Sequence, residues 1–548
     1  MKNSCILFAL IAVGLSGCSC PDCGSLVGFF VNTTNFLISG DENVQSSNPH
    51  QIVLKSGYAW TATNLKTEYI AFADTEGIGG VSHFTPRLTP AFFAALANNP
   101  LQFVIDGIGC QVGQIRFESS QGDRIDVTVY LAGAILLSFN ANGAQGSPPP
   151  AMVVIAGEDF LMPGDNGMTH PDAKTFAGWG TAANGTGLFC AANKASNFSA
   201  GAELFALWSG DGTTVTSPLY IYDRATLLAV EATVTNPLYY LVVADFDANF
   251  IEGSAPSPSW KPLGSAFSKF NGNFDGNGHT ITYTIDDNTN QYLGLFAFIE
   301  TGKVKDLSVA GSVKGTNSIR AYYGGIAGQS TGHIEGCYSA VSVRSESVER
   351  SYSGGIAGIN SGTIIACVTT GHIASSVTGA SSTYYSYSGG IVGLNYGNTS
   401  MVSYCVSTSS VESSSTAAEA YAGGIFGAND VDGKVANCVA LNAPTTPGGW
   451  SIHANAHTTS HVGRVAGWVN DVDLTGAYAD EGIVLWEKGS LFSIPWYHVG
   501  STARSGLGVM PSLWTTKAWW EGLGATWASL YGDFEEVVTL GYPLPIAI

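Results

Sequence analysis

A Gly-Gly-Ile-x-Gly motif recurs along the C-terminal half of this sequence, and it constrains the fold more than any other feature. Each clear copy has a tyrosine two residues before the glycine pair, then a polar turn that ends in Gly and in most copies contains Asn, then a short segment that ends in cysteine. The period is roughly 30 to 39 residues, and copies begin at Tyr322, Tyr352, Tyr387 and Tyr421, with a weaker copy over 460–467 and a degenerate one from Tyr292. Such a repeat predicts units that bury their apolar side chains against neighbouring units, because one unit is too small to hold a core.

Alignment of the copies places like residues in columns. One column contains Ile326, Ile356, Ile391 and Ile425, and burying each isoleucine contributes about 1.5–3 kcal/mol. A second column contains Cys337, Cys367, Cys405 and Cys438, with Leu307 and Ala477 in the outer copies. Since Leu and Ala neither form disulfides nor bind metal, this column is predicted to be a small, buried structural position. The paired glycines allow tight bends or a close backbone approach.

The tyrosines form a third column, for which the sequence allows two interpretations. They could pack on one another as an aromatic ladder, or they could face solvent as a strip on which sugars stack. In the second case the candidate ligand-binding residues are Tyr322, Tyr352, Tyr387 and Tyr421.

These motifs resemble the GLUG repeat, which occurs in bacterial surface adhesins and in non-catalytic regions of some surface proteases. The lead-in segments 239–247, 260–264 and 270–281 are also similar to the start of such arrays, whereas Ile and Ala here replace the more frequent Leu and Val. The resemblance covers residues 217–480. It implies an all-β fold, a right-handed β-helix-like solenoid of about six rungs, and it favours binding over catalysis.

Three further segments complete the expected organisation. Residues 151–210 resemble the Listeria–Bacteroides repeat of internalin-type surface proteins, a small β-grasp-like module, which implies a core of Phe176, Trp179, Phe205 and Trp208. Residues 25–147 contain alternating runs that predict a β-sandwich-like domain, with a short helix from Pro90 to Leu96. The Trp-rich residues 481–548 are expected to cap the far end of the solenoid.

The N-terminus has the pattern of an export signal. Lys2 precedes an apolar run from Ile6 to Leu15, and small residues then lead to Cys18. Leu-Ser-Gly-Cys resembles the bacterial lipoprotein box, which implies a signal peptide over 1–18, a lipid on Cys18 and a tether over 19–24. The expected location is the bacterial cell surface, at the outer membrane, with plain secretion as the alternative. Cys20 and Cys23 then form a local disulfide, remain free thiols or act as a redox pair.

Charge argues against a nucleic-acid partner. The chain has 42 Asp and Glu against 22 Lys and Arg, a net charge of -20. Nucleic-acid binding depends on Lys and Arg that neutralise phosphates. No nucleic acid is therefore expected among the partners.

Candidate metal and catalytic residues are few. His453, His457 and His461 are spaced by four, which would align them on one face of a strand or helix and could build a zinc or nickel site. The segment is the longest between repeats and is expected to be a loop, so metal binding is not the favoured interpretation. Carboxylate pairs stand at Asp245 with Asp247, Asp286 with Asp287, and Asp471 with Asp473. Turn or capping roles are favoured for them, and the sequence offers no nucleophile elbow or phosphate loop. We expect no cofactor and no enzymatic activity.

Together these features predict a lipid-anchored adhesin or surface-assembly protein that binds glycan or protein through the solenoid flank. The alternatives are a β-helix carbohydrate-active enzyme, a lyase or glycosidase, and a structural coat or filament component that self-assembles.

The lipoprotein box yields a direct prediction. Replacing Cys18 with Ser removes the thiol that the lipid requires, so labelled fatty acid should no longer be incorporated and the protein should leave the membrane fraction. Metabolic labelling in a bacterial host checks this, with Cys20→Ser as the matched control that should stay lipidated. Unchanged labelling of the Cys18→Ser protein would contradict the assignment.

Overall fold

The structure is a computed structural model that describes residues 29–31, 35–38, 52–56, 59–65, 69–71, 76–77, 80–84, 86–106, 109–251, 259–430, 432–442, 449, 451–469, 474–488, 490–491, 505–531 and 543–544. Cys18, Cys20 and Cys23, and with them the expected signal peptide and tether, lie outside these residues. The chain forms two compact units. One takes the described residues of Met1–Ser138 with Pro150–Leu161 and Ala195–Glu203, and the other takes Phe139–Pro149, Met162–Lys194 and Leu204–Ile548. The expected module over 151–210 is thus divided between the units.

The first unit contains two larger sheets and one helix. A three-stranded antiparallel sheet comprises Phe29–Val31, Ile52–Ser56 and Gly80–Phe84. A six-stranded sheet comprises Asn35–Ile38, Arg124–Ala132, Gly109–Ser119, Trp60–Asn64, Glu76–Gly77 and Val104–Ile105. Shorter pairs join Ile70–Ala71 to Arg87–Leu88, Ala134–Asn140 to Met152–Ile155, and Phe160–Leu161 to Ala195–Ser196.

The helix of this unit spans Pro90–Asn98 and is followed by a 3₁₀ turn over Pro100–Gln102. Its start follows from local chemistry, because Thr89 accepts a hydrogen bond from the Phe92 amide and Pro90 occupies the first turn. Its buried Phe92 joins a core with Leu54 of the smaller sheet and Phe117 of the larger one.

The second unit begins with an antiparallel group formed by Thr175–Gly180, Phe189–Ala191 and Ala202–Ser209. Trp179 and Trp208 are buried, and the Phe176 ring lies 5.3 Å from each of them. Phe205 is half-buried, and its neighbours Leu204 and Leu207 fill the interior instead.

The rest of the second unit is a β-solenoid whose coils each cross four faces. The first face is a nine-stranded parallel sheet of Leu219–Ile221, Tyr239–Val242, Asn273–Asp275, Lys303–Lys305, His333–Glu335, Thr363–Ile365, Met401–Ser403, Lys434–Ala436 and Leu474–Thr475. The second face carries Phe246–Asp247, Thr280–Asp286, Ser308–Asn317, Tyr338–Ser347, Val368–Thr369, His372–Val377, Val406–Ser407, Ser410–Ser415, Val439–Ala440, Ile452–Ala456, Tyr478–Asp480, Leu485–Glu487, Ser490–Leu491 and Leu507–Val509.

The third and fourth faces are parallel sheets of six strands each, one strand for every complete coil among the described residues. The third face comprises Tyr292–Leu293, Arg320–Gly324, Arg350–Gly354, Tyr385–Gly389, Glu419–Gly423 and Ser460–Gly463. The fourth comprises Phe296–Ile299, Ala327–Ser330, Ala357–Asn360, Val392–Tyr396, Phe426–Asp430 and Ala466–Val469. The fold is therefore all-β and solenoidal, as the repeats predicted.

Equivalent residues lie directly above one another in this solenoid. Ile326, Ile356, Ile391 and Ile425 have no exposed surface, and backbone bonds join each to the next. The outer coils place Leu295 and Val465 in the same buried position. The apolar column is continuous because every coil repeats the same side-chain direction.

The corner between the first and second faces depends on left-handed backbone. Successive coils place Asp306, Gly336, Ala366, Tyr404, Asn437 and Gly476 there, with φ between 51° and 62°. This region favours Gly and Asn, while Ala and Tyr each cost of order 1 kcal/mol. The buried cysteine column begins one residue later, so this turn directs the thiols inward.

The second glycine of each pair is required by close approach. A Cβ on Gly390 would lie 2.0 Å from the carbonyl oxygen of Gly424 in the next coil. In the last coil Arg464 occupies this place, and its guanidinium donates to the carbonyls of Ser505, Asp480 and Gly506. A side chain is tolerated at this position because, within the described residues, no further coil packs against it with a glycine pair of its own.

The Trp-rich tail differs from the expected end cap. Leu485–Glu487 and Leu507–Val509 do extend the last coil. The helices Pro511–Trp514, Lys517–Gly522 and Ala525–Tyr531 instead pack through Trp520, Trp527 and Tyr531 against the side of the solenoid. The reason is a stripe of Val368, Val406 and Val439, which directly follow buried cysteines and so point outward.

Two remaining helical segments, Arg224–Ala229 and the 3₁₀ turn Val230–Thr233, lie before the second strand of the first face. Asp223 and Thr226 cap the former with reciprocal hydrogen bonds. None of the helices in the described part of the chain has the length and apolar character of a membrane-spanning helix.

The close glycine contact gives a stability prediction. Gly390→Ala should destabilise the protein by about 3 kcal/mol, because the added methyl group meets backbone and the coils must separate. Gly522→Ala is the matched control, since a Cβ there meets no atom within 4 Å. Thermal unfolding should show a lower midpoint for Gly390→Ala alone, and equal midpoints would contradict the close-approach argument.

Candidate functional site

The tyrosine column is a packed ladder. Its ring centroids are 5.1 Å apart between Tyr322 and Tyr352 and between Tyr352 and Tyr387, and 4.8 Å apart between Tyr387 and Tyr421. The ring planes deviate from parallel by at most 11°. Tyr352 is 4% exposed, and Tyr322 and Tyr421 are 9% and 7% exposed. The ring faces therefore cover one another and leave no stacking strip along the middle of the ladder.

Burial also keeps the hydroxyl groups of Tyr352 and Tyr387 protonated. It raises the pKa of Tyr352 to about 12, with a further contribution from Tyr322, and it raises the pKa of Tyr387. The Tyr421 hydroxyl donates to the carboxylate of Glu419. These four side chains thus act first as scaffold.

The three histidines do not come together as a metal site. His461 stacks on Tyr421 at 4.5 Å and lies near Glu419, while His453 on the second face has its Nδ1 3.6 Å from Glu412 Oε1. His457 is exposed in the turn between these faces. Among the described residues no group of three His, Cys, Asp or Glu side chains could hold a metal ion. The predicted alignment fails because the strand ends at Ala456, before the second and third histidines.

The cysteine column lies fully inside the solenoid. Cys337, Cys367, Cys405 and Cys438 have no exposed surface, and none of the cysteines in the described residues forms a disulfide. The Cys337 thiol donates to the Glu335 carbonyl at 3.2 Å. Burial raises the pKa of Cys367 and Cys438 well above that of a free thiol. Neutral, enclosed thiols of this kind have no nucleophilic role.

The predicted carboxylate pairs that the structure describes hold turns. Asp245 accepts from the Thr280 amide and Asp247 from the Asn249 amide, both at 2.8 Å. Burial alone would raise the pKa of Asp287, but hydrogen bonds from Thr289 and Asn290 outweigh it and lower that pKa. The pair of Asp471 and Asp473 lies outside the described residues.

A polar cleft of about 670 Å³ is the feature that the sequence did not indicate. Its walls are the loop 186–189, which precedes the solenoid, and the corner between the first two faces of the early coils. The ionisable side chains that line it are Asp245, Asp275, His279, Lys305 and Asp306. Phe189 adds an aromatic ring, which packs on Tyr222 at 4.9 Å.

Ion pairs fix the side chains of this cleft. Lys305 Nζ lies 2.6 Å from Asp275 and 2.7 Å from Asp306. Burial alone would lower the pKa of Lys305, yet the hydrogen bonds that its ammonium donates to these carboxylates raise it, so the ammonium stays charged. His279 bridges Asp245 at 3.0 Å and the Gly185 carbonyl at 3.1 Å. The cleft therefore carries three carboxylates against one permanent cation.

Sequence reasoning missed the cleft because its residues are far apart and individually ordinary. Asp275 and Lys305 meet only because their strands pair in register. One signal was present, since the segment that contains Asp275 and His279 departs from the repeat pattern.

Comparison with known proteins gives limited similarity. No protein-family model matches the chain. A protein of Evansella cellulosilytica, described as a candidate Gly-rich membrane protein, is 29% identical over 126 residues, which is 22% of this chain and 14% of that protein. The similarity is thus confined to one segment of each chain.

A solved structure is also similar in part. The crystal structure of a candidate immunoglobulin A1 protease from Bacteroides ovatus has 20% identity and a TM-score of 0.44, over 62% of this chain and 95% of that one. At this level of similarity, neither the fold nor the activity of that protein is assigned to this chain.

The enclosed thiols lead to a labelling prediction. In protein whose six cysteines outside the column are replaced by Ser, the solenoid cysteines should not react with Ellman's reagent at pH 8, because they have no exposed surface. Denaturant should expose them all at once. Fast labelling of the native protein would show that the column is accessible, whereas unfolded protein serves as the control for full reactivity.

Proposed function

We propose that this protein is an exported, lipid-anchored binding protein of the bacterial surface, of the adhesin class, and that its ligand occupies the polar cleft. The proposal depends on one observation, the difference between the repeated side chains of the solenoid and the side chains that line the cleft. Its recurring columns of Ile, Cys, Gly and Tyr are packed against themselves. The cleft, in contrast, is lined by side chains that do not recur from coil to coil, as expected of a single site on a repeated scaffold.

The charge of the cleft selects the class of ligand. Three carboxylates and one ammonium leave it acidic, and the chain as a whole carries -20. Like charges are repelled, so sulfated or sialylated glycans should bind poorly. Neutral glycans and basic protein segments fit the cleft best.

Surface location is supported by three independent features. The lipoprotein box at Cys18 implies a membrane anchor. The resemblance to GLUG arrays favours a surface adhesin. The segment shared with a protein that is described as a membrane protein is consistent with both.

A carbohydrate-active enzyme is the second candidate, because the cleft is concave and contains carboxylates. Glycoside hydrolysis needs one carboxyl group as acid and another as base or nucleophile. Here Asp275 and Asp306 share the ammonium of Lys305. This arrangement favours binding, and incubation with polysaccharides should release no new reducing ends.

A self-assembling filament is less well supported. Stacking of solenoids end to end requires open strand edges. In the described part of the last coil, Ser490–Leu491 pairs antiparallel with Leu485–Glu487, and the buried guanidinium of Arg464 binds the tail. These features oppose stacking at the second face and at the Arg464 position of that end.

Binding by the full-length protein tests the proposal. An array of neutral glycans, sialylated glycans and basic peptides should show binding to a neutral or basic member, and Asp245→Asn and His279→Ala should each weaken it about tenfold. Asp172→Asn, on an exposed side chain outside the cleft, is the matched control. No binding to any member, or binding that both cleft variants retain, would reject the cleft as the ligand site.

A further inference from the structure

The tyrosine ladder has two ends, and they differ. At the C-terminal end His461 covers the ring of Tyr421, with the two planes 5° apart. At the N-terminal end the ladder finishes at Tyr292, whose ring stacks on Tyr322 at 4.8 Å. Within the described residues no strand pairs with Tyr292–Leu293 on its other side. Tyr292 also packs on Phe298, at 6.1 Å and 30° between the planes, but no tyrosine of a preceding coil continues the column within the described residues.

Tyr292 lines a second cleft, of about 560 Å³, which is separate from the polar cleft. Its floor and walls are largely apolar, with Leu228, Pro262, Leu263 and Ala297 beside the tyrosine. A volume of this size suits a small ligand. We call it the aromatic cleft.

Phe267 stands at the rim of the aromatic cleft and is 98% exposed. The turn that presents it is well fixed, because Ser265 Oγ accepts from the amides of Phe267 and Ser268 at 3.2 and 3.0 Å. Gly264 has a φ of 75°, and its amide donates to Glu231 at 2.6 Å. The ring is thus held in solvent by local hydrogen bonds, and it does not pack into the core.

Polar side chains at the same cleft remain available. Lys261 and Gln291 line it, and neither side chain forms a hydrogen bond or ion pair with another described residue. An apolar aromatic surface with unused donors at its edge matches the two sides of a sugar, whose ring carries an apolar C–H face and a rim of hydroxyl groups.

We propose that the aromatic cleft is a sugar-binding site in which the apolar face of a pyranose ring stacks on Tyr292, with Phe267 available at the rim as a second aromatic contact. The sugar takes the next position in a ladder whose rings already repeat every 4.8–5.1 Å. Lys261 and Gln291 donate to its hydroxyl oxygens. This site is independent of the polar cleft and does not rest on the function proposed for it.

Saturation-transfer NMR on the full-length protein tests the site, with methyl β-D-glucopyranoside, methyl β-D-galactopyranoside and N-acetyltryptophanamide as probes. We expect transfer to a glycoside, with the dissociation constant raised about tenfold or more in Phe267→Ser and Tyr292→Ala, the loss of one aromatic contact in each. Tyr292→Phe keeps the ring and should keep the binding. Thermal unfolding shows whether each variant remains folded.

Two further variants separate this site from other surfaces. Phe250→Ser removes another exposed phenylalanine, 57% exposed and outside the cleft, and should bind the glycosides like the unmodified protein. Asp245→Asn alters the polar cleft and reports any glycoside that binds there. No transfer to either glycoside, transfer that Phe267→Ser and Tyr292→Ala leave unchanged, or a preference for N-acetyltryptophanamide would overturn the proposal. Loss in Asp245→Asn alone would assign the sugar to the polar cleft.

Discussion

The stacking of one coil directly on the next is the constraint on which the rest of this structure depends. Parallel pairing places equivalent residues of neighbouring coils about 5 Å apart, and the tyrosine rings, at 4.8–5.1 Å, report that spacing directly. At such a distance a column accepts one kind of side chain with little variation. Where the backbone itself comes closest, as between Gly390 and Gly424, it accepts no side chain within the stack.

This constraint also explains why polar residues are tolerated inside. Asn360 donates to Asn395 at 2.8 Å, and Asn395 to Asn429 at 2.7 Å, so each buried amide finds its partner in the next coil. Ser345 likewise bonds Ser351 and Ser353, each at 2.6 Å, across the second and third faces. A buried polar group is costly without a partner. For these asparagine and serine side chains, the neighbouring strand or coil supplies the partner.

The ends of the columns are therefore the chemically distinctive places. At the last coil the glycine column gives way to Arg464, whose pKa burial lowers against the opposing effect of Glu481 and Asp480, and whose donors bind tail carbonyls. At the first coils the ladder ends in Tyr292, and the early first face carries the ion pairs of the polar cleft. In a solenoid whose coils repeat the same residues, chemically distinct side chains occur where the repeat is interrupted. This is the physical reason for proposing that ligands bind at the N-terminal coils.

The sequence by itself determined the solenoid, its buried isoleucine and cysteine columns and the tyrosine column, because a repeat states which residues must become neighbours. It did not decide whether the tyrosines face solvent or one another, since the same spacing permits both; the separation between coils did. Nor did it place the Trp-rich helices against the outward valines, or bring Asp275 to Lys305. These contacts join residues that are far apart in the chain, and the sequence around each residue does not indicate its partner. The contacts form only when strand register and the paths of the turns are set.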